Sequence, residues 1–275
     1  MQNSDWATIF RYLDGLGAYF IATGAYLDTQ GDEPKLGSKA AEEIALFPGN
    51  EIARMPYRQA LLLIESIADH GHALIRTLQP PRLTITPWTC LRIMLEASVI
   101  GHWLMDTSIE GIVRIERGMS LRRAQLEQQR KAIIAGGNDD ESARIMLRFE
   151  KLNAEARELG IEPVKEMPTI TALACSLLQE ESSFRILSAM LHGQYWALTQ
   201  LAFRRADPSD PRILEKHLEP WQAEYLIYKA AYYFAVPVWD LARLHSFDIK
   251  ELKRIWDAGY DSIGMHAESE LRFWH

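Results

Sequence analysis

No stretch of this chain alternates apolar and polar residues for more than a few positions, so no half-buried strand can be read from it. Apolar residues recur instead at helical spacing. The segments that carry them are separated by proline, glycine and capping residues. The pattern predicts an all-α protein, an antiparallel helical bundle of about nine helices with extra helices at both ends. A chain of 275 residues can bury one large helical core, and it is read as a single domain over 1–275.

The punctuation sets the elements. Ser4 or Asp5 caps a first helix running to about residue 27. Residues 29–38 form a loop, and a short helical segment covers 40–46. Pro56 stands near the first turn of a helix that Pro80-Pro81 stops. Thr86 and Pro87 open a third helix, ending near Asp106. Ser108 is the next cap, for a long charged helix to Ala135. Asp139 caps its partner to about Leu159, and the two make a projecting helical hairpin. Thr169 caps a helix to about Gln179, and 182–203 reads as one long helix. Residues 207–211 are a break. Pro220 opens a helix to about Leu244, bent at Pro237, and Asp248 caps the last one. The terminal AESELRFWH is expected to dock through Phe273 and Trp274.

Net charge is −7, which draws neither nucleic acid nor anionic lipid to the chain as a whole. A nucleic-acid partner would need a local basic patch. Arg204 and Arg205, with the arginines of the charged helix, can supply one. Cys90 and Cys175 sit far apart in apolar surroundings and read as reduced thiols. The first residues include Asp5, Arg11 and Asp14 and do not read as a signal peptide. The most apolar later run contains Lys229, Pro237 and Asp240, short of the roughly 20 apolar residues that span a bilayer. The expected setting is the cytoplasm, with no membrane partner. Walker, GxGxxG, GxSxG and HExxH motifs are absent from the sequence, as is the Glu-x-x-His of carboxylate di-iron bundles. No cofactor and no resident metal are expected.

The spacing that suggests chemistry is in 182–203. Arg185 and His192 are seven residues apart, so on one helix they project from nearly the same face. One reading makes His192 a general acid/base and Arg185 a clamp for phosphate charge. The other makes Arg185 the structural partner of Glu181 and His192 a satisfied core residue. Arg92 and Glu96 are spaced as an i,i+4 ion pair, as are His102 and Asp106, which read either as an oriented base or as a helix-end device. Glu65, Asp69, His72 and Arg76 share a face, either holding a metal, lining a polar pocket, or forming a wet salt-bridge ladder.

The motif Arg185-x6-His192, late in a helical bundle, resembles the R-x4-6-H motif of the HEPN superfamily. The upstream helix CLRIMLEASVIGHWLMD, with its Arg92-x3-Glu96, is similar to bacterial helical proteins with HEPN-like cores. The resemblance covers about 56–203, leaving 1–48 and 211–275 as accessory helices. It implies a homodimer in which Arg185 and His192 of two protomers converge and cleave RNA by metal-independent transesterification at the 2′-hydroxyl, with Arg92 and Glu96 in support. Many such proteins only bind. Two other readings stand beside it. One is a small-molecule enzyme or sensor whose pocket is lined by Trp88, Trp103, Tyr195, Trp196, Glu65 and His72. The other is an interaction module without chemistry.

Overall fold

A computed structural model describes residues 5–161, 164–207 and 210–265. The chain is 75% helical, an all-α bundle with one small hairpin. The elements in order are α1 (Trp6–Gln30), α2 (Lys39–Ala45), a 3-10 turn (Glu51–Arg54), α3 (Met55–Leu78), α4 (Thr86–Met105), α5 (Gly111–Ala135), α6 (Asp139–Glu158), α7 (Ile170–Leu177), α8 (Glu181–Leu191), α9 (Tyr195–Leu201), β1 (Phe203–Asp207), β2 (Asp210–Lys216), α10 (Pro220–His245) and α11 (Ile249–Ser262). No helix among the described residues is long and apolar enough to cross a membrane.

Two helices carry the core. α4 and α10 are apolar around most of their circumference, the sign of helices enclosed on all sides. α4 packs against α3, α10, α7, α8 and α5, and α10 against α4, α3, α1, α11 and α2. Trp88, Leu91, Met94, Leu95 and Leu104 of α4 meet Leu226, Ile227, Phe234 and Leu241 of α10 in one continuous cluster. α10 runs unbroken through Pro237. The proline ring lies against Gly101 of α4, where an added Cβ would stand 2.9 Å from the Pro237 Cβ. A small residue there lets the two central helices approach closely.

α5 and α6 form an antiparallel hairpin beside this core. It has its own apolar centre, with Ile115, Met119 and Leu126 against Ile145, Leu152 and Ala156 and with Ile52 of the 3-10 turn packed in.

Several capping signals hold. Asp5 accepts from the Thr8 N–H, Thr169 from the Ala172 N–H, and Asp248 from the Lys250 and Glu251 N–H groups. Two do not. Asn138, not Asp139, caps α6, its Oδ1 accepting from the Glu141 N–H at 3.1 Å. Ser108 does not cap α5, because Asp106 engages it: Asp106 Oδ1 accepts from the Ser108 N–H at 3.0 Å and from its Oγ at 2.6 Å. Helix α5 starts three residues later, behind Glu110.

Two larger corrections fall in 182–216. The long helix is two short ones. Gly193 adopts φ +62°, a left-handed conformation that glycine takes without strain, and this ends α8 and redirects the chain into α9. Where a break is expected at 207–211, β1 and β2 pair as an antiparallel hairpin, Phe203 with Lys216 and Arg205 with Leu214. These changes, with α2, take the described helices beyond nine. Phe273 and Trp274 lie outside the described residues.

Candidate functional site

Arg185 and His192 both stand at the surface, Arg185 near the middle of α8 and His192 just past its end. His192 is the first residue past the helix, and its N–H still donates to the Ser188 carbonyl at 3.0 Å. It therefore keeps helical register with Arg185: about 20° apart around the axis and about 10 Å apart along it. Arg185 donates from Nε and Nη2 to Glu181 Oε1, at 2.9 and 2.7 Å. Glu181 holds the guanidinium pKa above its ordinary value. His192 is exposed, not a core residue. Beyond the Gly193 turn, Tyr195 (76% exposed) and Trp196 (44% exposed) present their rings to water, and the Trp196 indole donates to Gln194 Oε1 at 2.8 Å. Leu191 is exposed beside them, and Arg204 and Arg205 follow on β1. One short stretch thus exposes a guanidinium, an imidazole, two aromatic rings and a basic strand.

The opposite side of α8 rests on a buried polar cluster. Arg92, 6% exposed, lies with its guanidinium 3.6 Å from the Phe184 ring of α8, and its Nη2 donates to Glu96 Oε1 at 2.7 Å. Among the described residues its Nε and Nη1 are buried without a hydrogen-bond partner. Burial works against its charge and lowers its pKa, with Glu96 opposing. Nearby, the α8 cap residue Glu180 accepts from Lys229 Nζ at 2.5 Å and from the Tyr233 hydroxyl at 3.2 Å, and Tyr225 donates to Ser183 Oγ at 3.0 Å. These bonds fasten the start of α8 to α10. Arg92 is thus buried beneath α8, against Phe184, with Glu96 beside it about a third exposed. Glu180, Lys229 and Tyr233 were not legible as site residues, since their partners lie 49 and 53 positions away.

This cluster makes a specific stability prediction. Replacing Arg92 by methionine removes a guanidinium with two unsatisfied nitrogens and leaves Glu96, a third exposed, free to turn to water. The change is expected to be neutral or stabilising within about 1 kcal/mol. Urea unfolding checks it; a loss above about 3 kcal/mol would contradict this account of the cluster.

The other expected residues are scattered. Glu65 is exposed on α3 and borders a groove with Asp32, Glu33 and Arg54. His72, further along the same helix, packs edge-on against Phe20 of α1. Neither faces α8. Among the described residues, no three His, Cys, Asp or Glu side chains gather into a group that could hold a metal. Trp88 and Trp103 are buried in the core while Tyr195 and Trp196 face water, so the six residues expected to line one pocket do not enclose one.

His102 pairs not with Asp106, one turn on, but with Asp240 of α10: Nδ1 and Oδ2 are 2.5 Å apart. His102 is a quarter exposed and Asp240 is buried. Burial opposes the ring's charge, but the Asp240 bond and charge outweigh it and raise the His102 pKa. Burial also raises Asp240, with His102 pulling the other way. Asp106 turns to Ser108 and to Arg117 Nη1, 3.4 Å from its Oδ2. A carboxylate that orients an imidazole is the geometry of a general base. Here it also ties the end of α4 to α10.

Compared with family models, curated proteins and solved structures, the chain matches none. What the fold and site define is a class: an all-α bundle with a charged and aromatic surface built on two short helices.

Proposed function

We propose that the α8–α9 surface binds single-stranded RNA and that the chain is a HEPN-like, metal-independent ribonuclease acting in the cytoplasm as a homodimer. The observation that carries this reading is the joint exposure of Arg185 and His192 in helical register, beside the rings of Tyr195 and Trp196. Each element has a physical role. Exposed aromatic faces stack bases without regard to sequence, and Arg205, beside an Arg204 that donates to Glu215 Oε1 at 2.5 Å, adds local positive charge in an acidic chain. The Arg185–Glu181 pair is solvent-exposed and weak, so a phosphate can take the place of Glu181.

In the cleavage step His192 takes the proton of a ribose 2′-hydroxyl as that oxygen bonds to phosphorus. Arg185 holds the non-bridging oxygens as charge builds on them. The bond from phosphorus to the 5′-oxygen breaks, and the partner subunit's His192 protonates the leaving oxygen. The products carry a 2′,3′-cyclic phosphate and a 5′-hydroxyl. Arg92 acts from beneath α8, with Glu96 beside it, as positioning residues only.

Arg185 gives the binding test. Arg185→Ala is expected to weaken binding of a fluorescent single-stranded RNA about tenfold or more in anisotropy titrations, with Arg185→Lys recovering part of the loss. Unchanged affinity in Arg185→Ala would remove the phosphate clamp from this reading. The small-molecule reading has separate support, a groove between α3 and the α5–α6 hairpin.

A further inference from the structure

A groove of about 570 Å³ lies between α3 and one flank of the α5–α6 hairpin, with residues of the 3-10 turn in its lining. Its volume falls in the range of small-molecule sites. Its apolar lining is aliphatic. Ile52, Leu121, Leu126 and Leu152 are buried in it, and Leu62 of α3 stands 70% exposed. No aromatic ring is among the lining residues. Such a surface suits an alkyl chain and gives a planar ligand nothing to stack on. Gln59 of α3 donates from Nε2 to the Gly118 carbonyl of α5 at 3.2 Å, which ties the two walls together.

The charges on this lining do not balance. Four cations, Arg58, Arg122, Arg148 and Lys151, stand against two carboxylates, Glu51 and Glu155. Both carboxylates are already taken. Glu51 Oε2 accepts from Arg58 Nη1 at 2.6 Å, and Glu155 Oε1 lies 3.7 Å from Lys151 Nζ. Arg122, half-buried, and Arg148, exposed, are left over. Among the described residues neither has a hydrogen-bond or ion-pair partner. Guanidinium groups without a counter-charge attract an anion, and low-dielectric walls strengthen the attraction. In a chain of net charge −7 this groove is a local positive site.

We propose that the groove binds a single-chain aliphatic anion, of the size and chemistry of a medium-chain fatty acid. The alkyl chain lies along Leu62, Leu126 and Leu152, and the carboxylate meets Arg122 and Arg148. The proposal is independent of the α8–α9 surface, because none of these residues belongs to α8, α9, β1 or β2.

Isothermal titration of the full chain with decanoate, hexanoate and decyltrimethylammonium tests it. The expected result is saturable binding of decanoate, with hexanoate at least about tenfold weaker because four methylenes are missing. Replacing both arginines, Arg122→Gln with Arg148→Gln, is expected to weaken decanoate about tenfold or more. Neither arginine bonds to the fold, so this variant stays folded. Leu62→Asn, at an exposed position, leaves both arginines in place and is expected to weaken decanoate as well, while Arg185→Ala leaves it unchanged. No saturable binding of decanoate overturns the proposal, as does parent-like affinity in either groove variant. Hexanoate binding as tightly as decanoate overturns the role of the alkyl chain, and decyltrimethylammonium binding as tightly overturns the role of the arginines.

Discussion

Arg114→Ala is expected to cost about 3–5 kcal/mol of folding stability, the range for removing one partner of a buried ion pair. Arg114 is 0% exposed although it lies on a strongly charged helix, α5. Its Nε donates to Glu43 Oε2 at 2.9 Å, its Nη1 to the Leu104 carbonyl at 2.6 Å, and its Nη2 to the Asp106 carbonyl at 2.9 Å. Tyr57 donates its hydroxyl to the same Glu43 oxygen. One guanidinium therefore joins α2, α5 and the end of α4, where the helix leaves carbonyls unpaired. Alanine leaves Glu43 charged and buried and strands both carbonyls. Domains of ordinary stability hold only about 5–15 kcal/mol in total, so the variant should show a sharply lower denaturation midpoint. Replacing Glu43 as well, by leucine, is expected to recover part of the loss, because the stranded charge is then gone. A loss below about 1 kcal/mol in the single variant would mean that the buried pair contributes no more than an exposed one.

The second large effect is a pH dependence centred on His245. Its ring is fully buried between Tyr57 and Phe247, and among the described residues neither nitrogen has a hydrogen-bond partner. Burial pushes its pKa down to about 4, with Glu33 opposing weakly. In the unfolded chain the ring titrates near about 6.5. Between these values the unfolded state binds the proton and the folded state does not, so stability falls as pH falls. Taking about 1.4 kcal/mol per pKa unit, the loss from pH 7 to pH 4 is about 3 kcal/mol. His245→Leu removes the titrating group. The parent should lose about 3 kcal/mol more than the variant over that interval, measured by urea unfolding at each pH. The His102–Asp240 pair acts in the opposite direction: a His102 pKa raised in the folded state gives stability that is lost as pH rises through it. The two histidines thus make opposite slopes, and equal acid losses in parent and His245→Leu would contradict the assignment to His245.

What could be read in the sequence follows from the range of the interactions involved. α4 and α10 were legible because a helix buried on all sides needs apolar residues all round, and theirs are local in sequence. Caps such as Asp5, Thr169 and Asp248 were legible because they bond within three residues. The Gly193 turn was hidden because apolar residues continue at helical spacing on both sides of it. The β1–β2 hairpin was hidden because its strands are short and largely exposed, with charged residues where alternation would show. Side-chain partners distant in sequence were the least legible. His102 and Asp106 invite pairing one turn apart, yet the histidine meets Asp240, 138 positions away. Arg114 reads as one of many charges on a wet helix, yet it meets Glu43 in the core, 71 positions away. Arg185 and His192 were legible as a spacing; their exposure, and the rings beside them, were not.

The central claim, that the α8–α9 surface cleaves RNA through His192, is tested most directly by the products. A single-stranded RNA with one internal ribose position is incubated with the parent and with His192→Ala, and the ends are analysed by mass spectrometry. Cleavage at the ribose, leaving a 2′,3′-cyclic phosphate and falling about 10²-fold or more in the variant, is the predicted result. Intact RNA with the parent, or equal cleavage by His192→Ala, would contradict it.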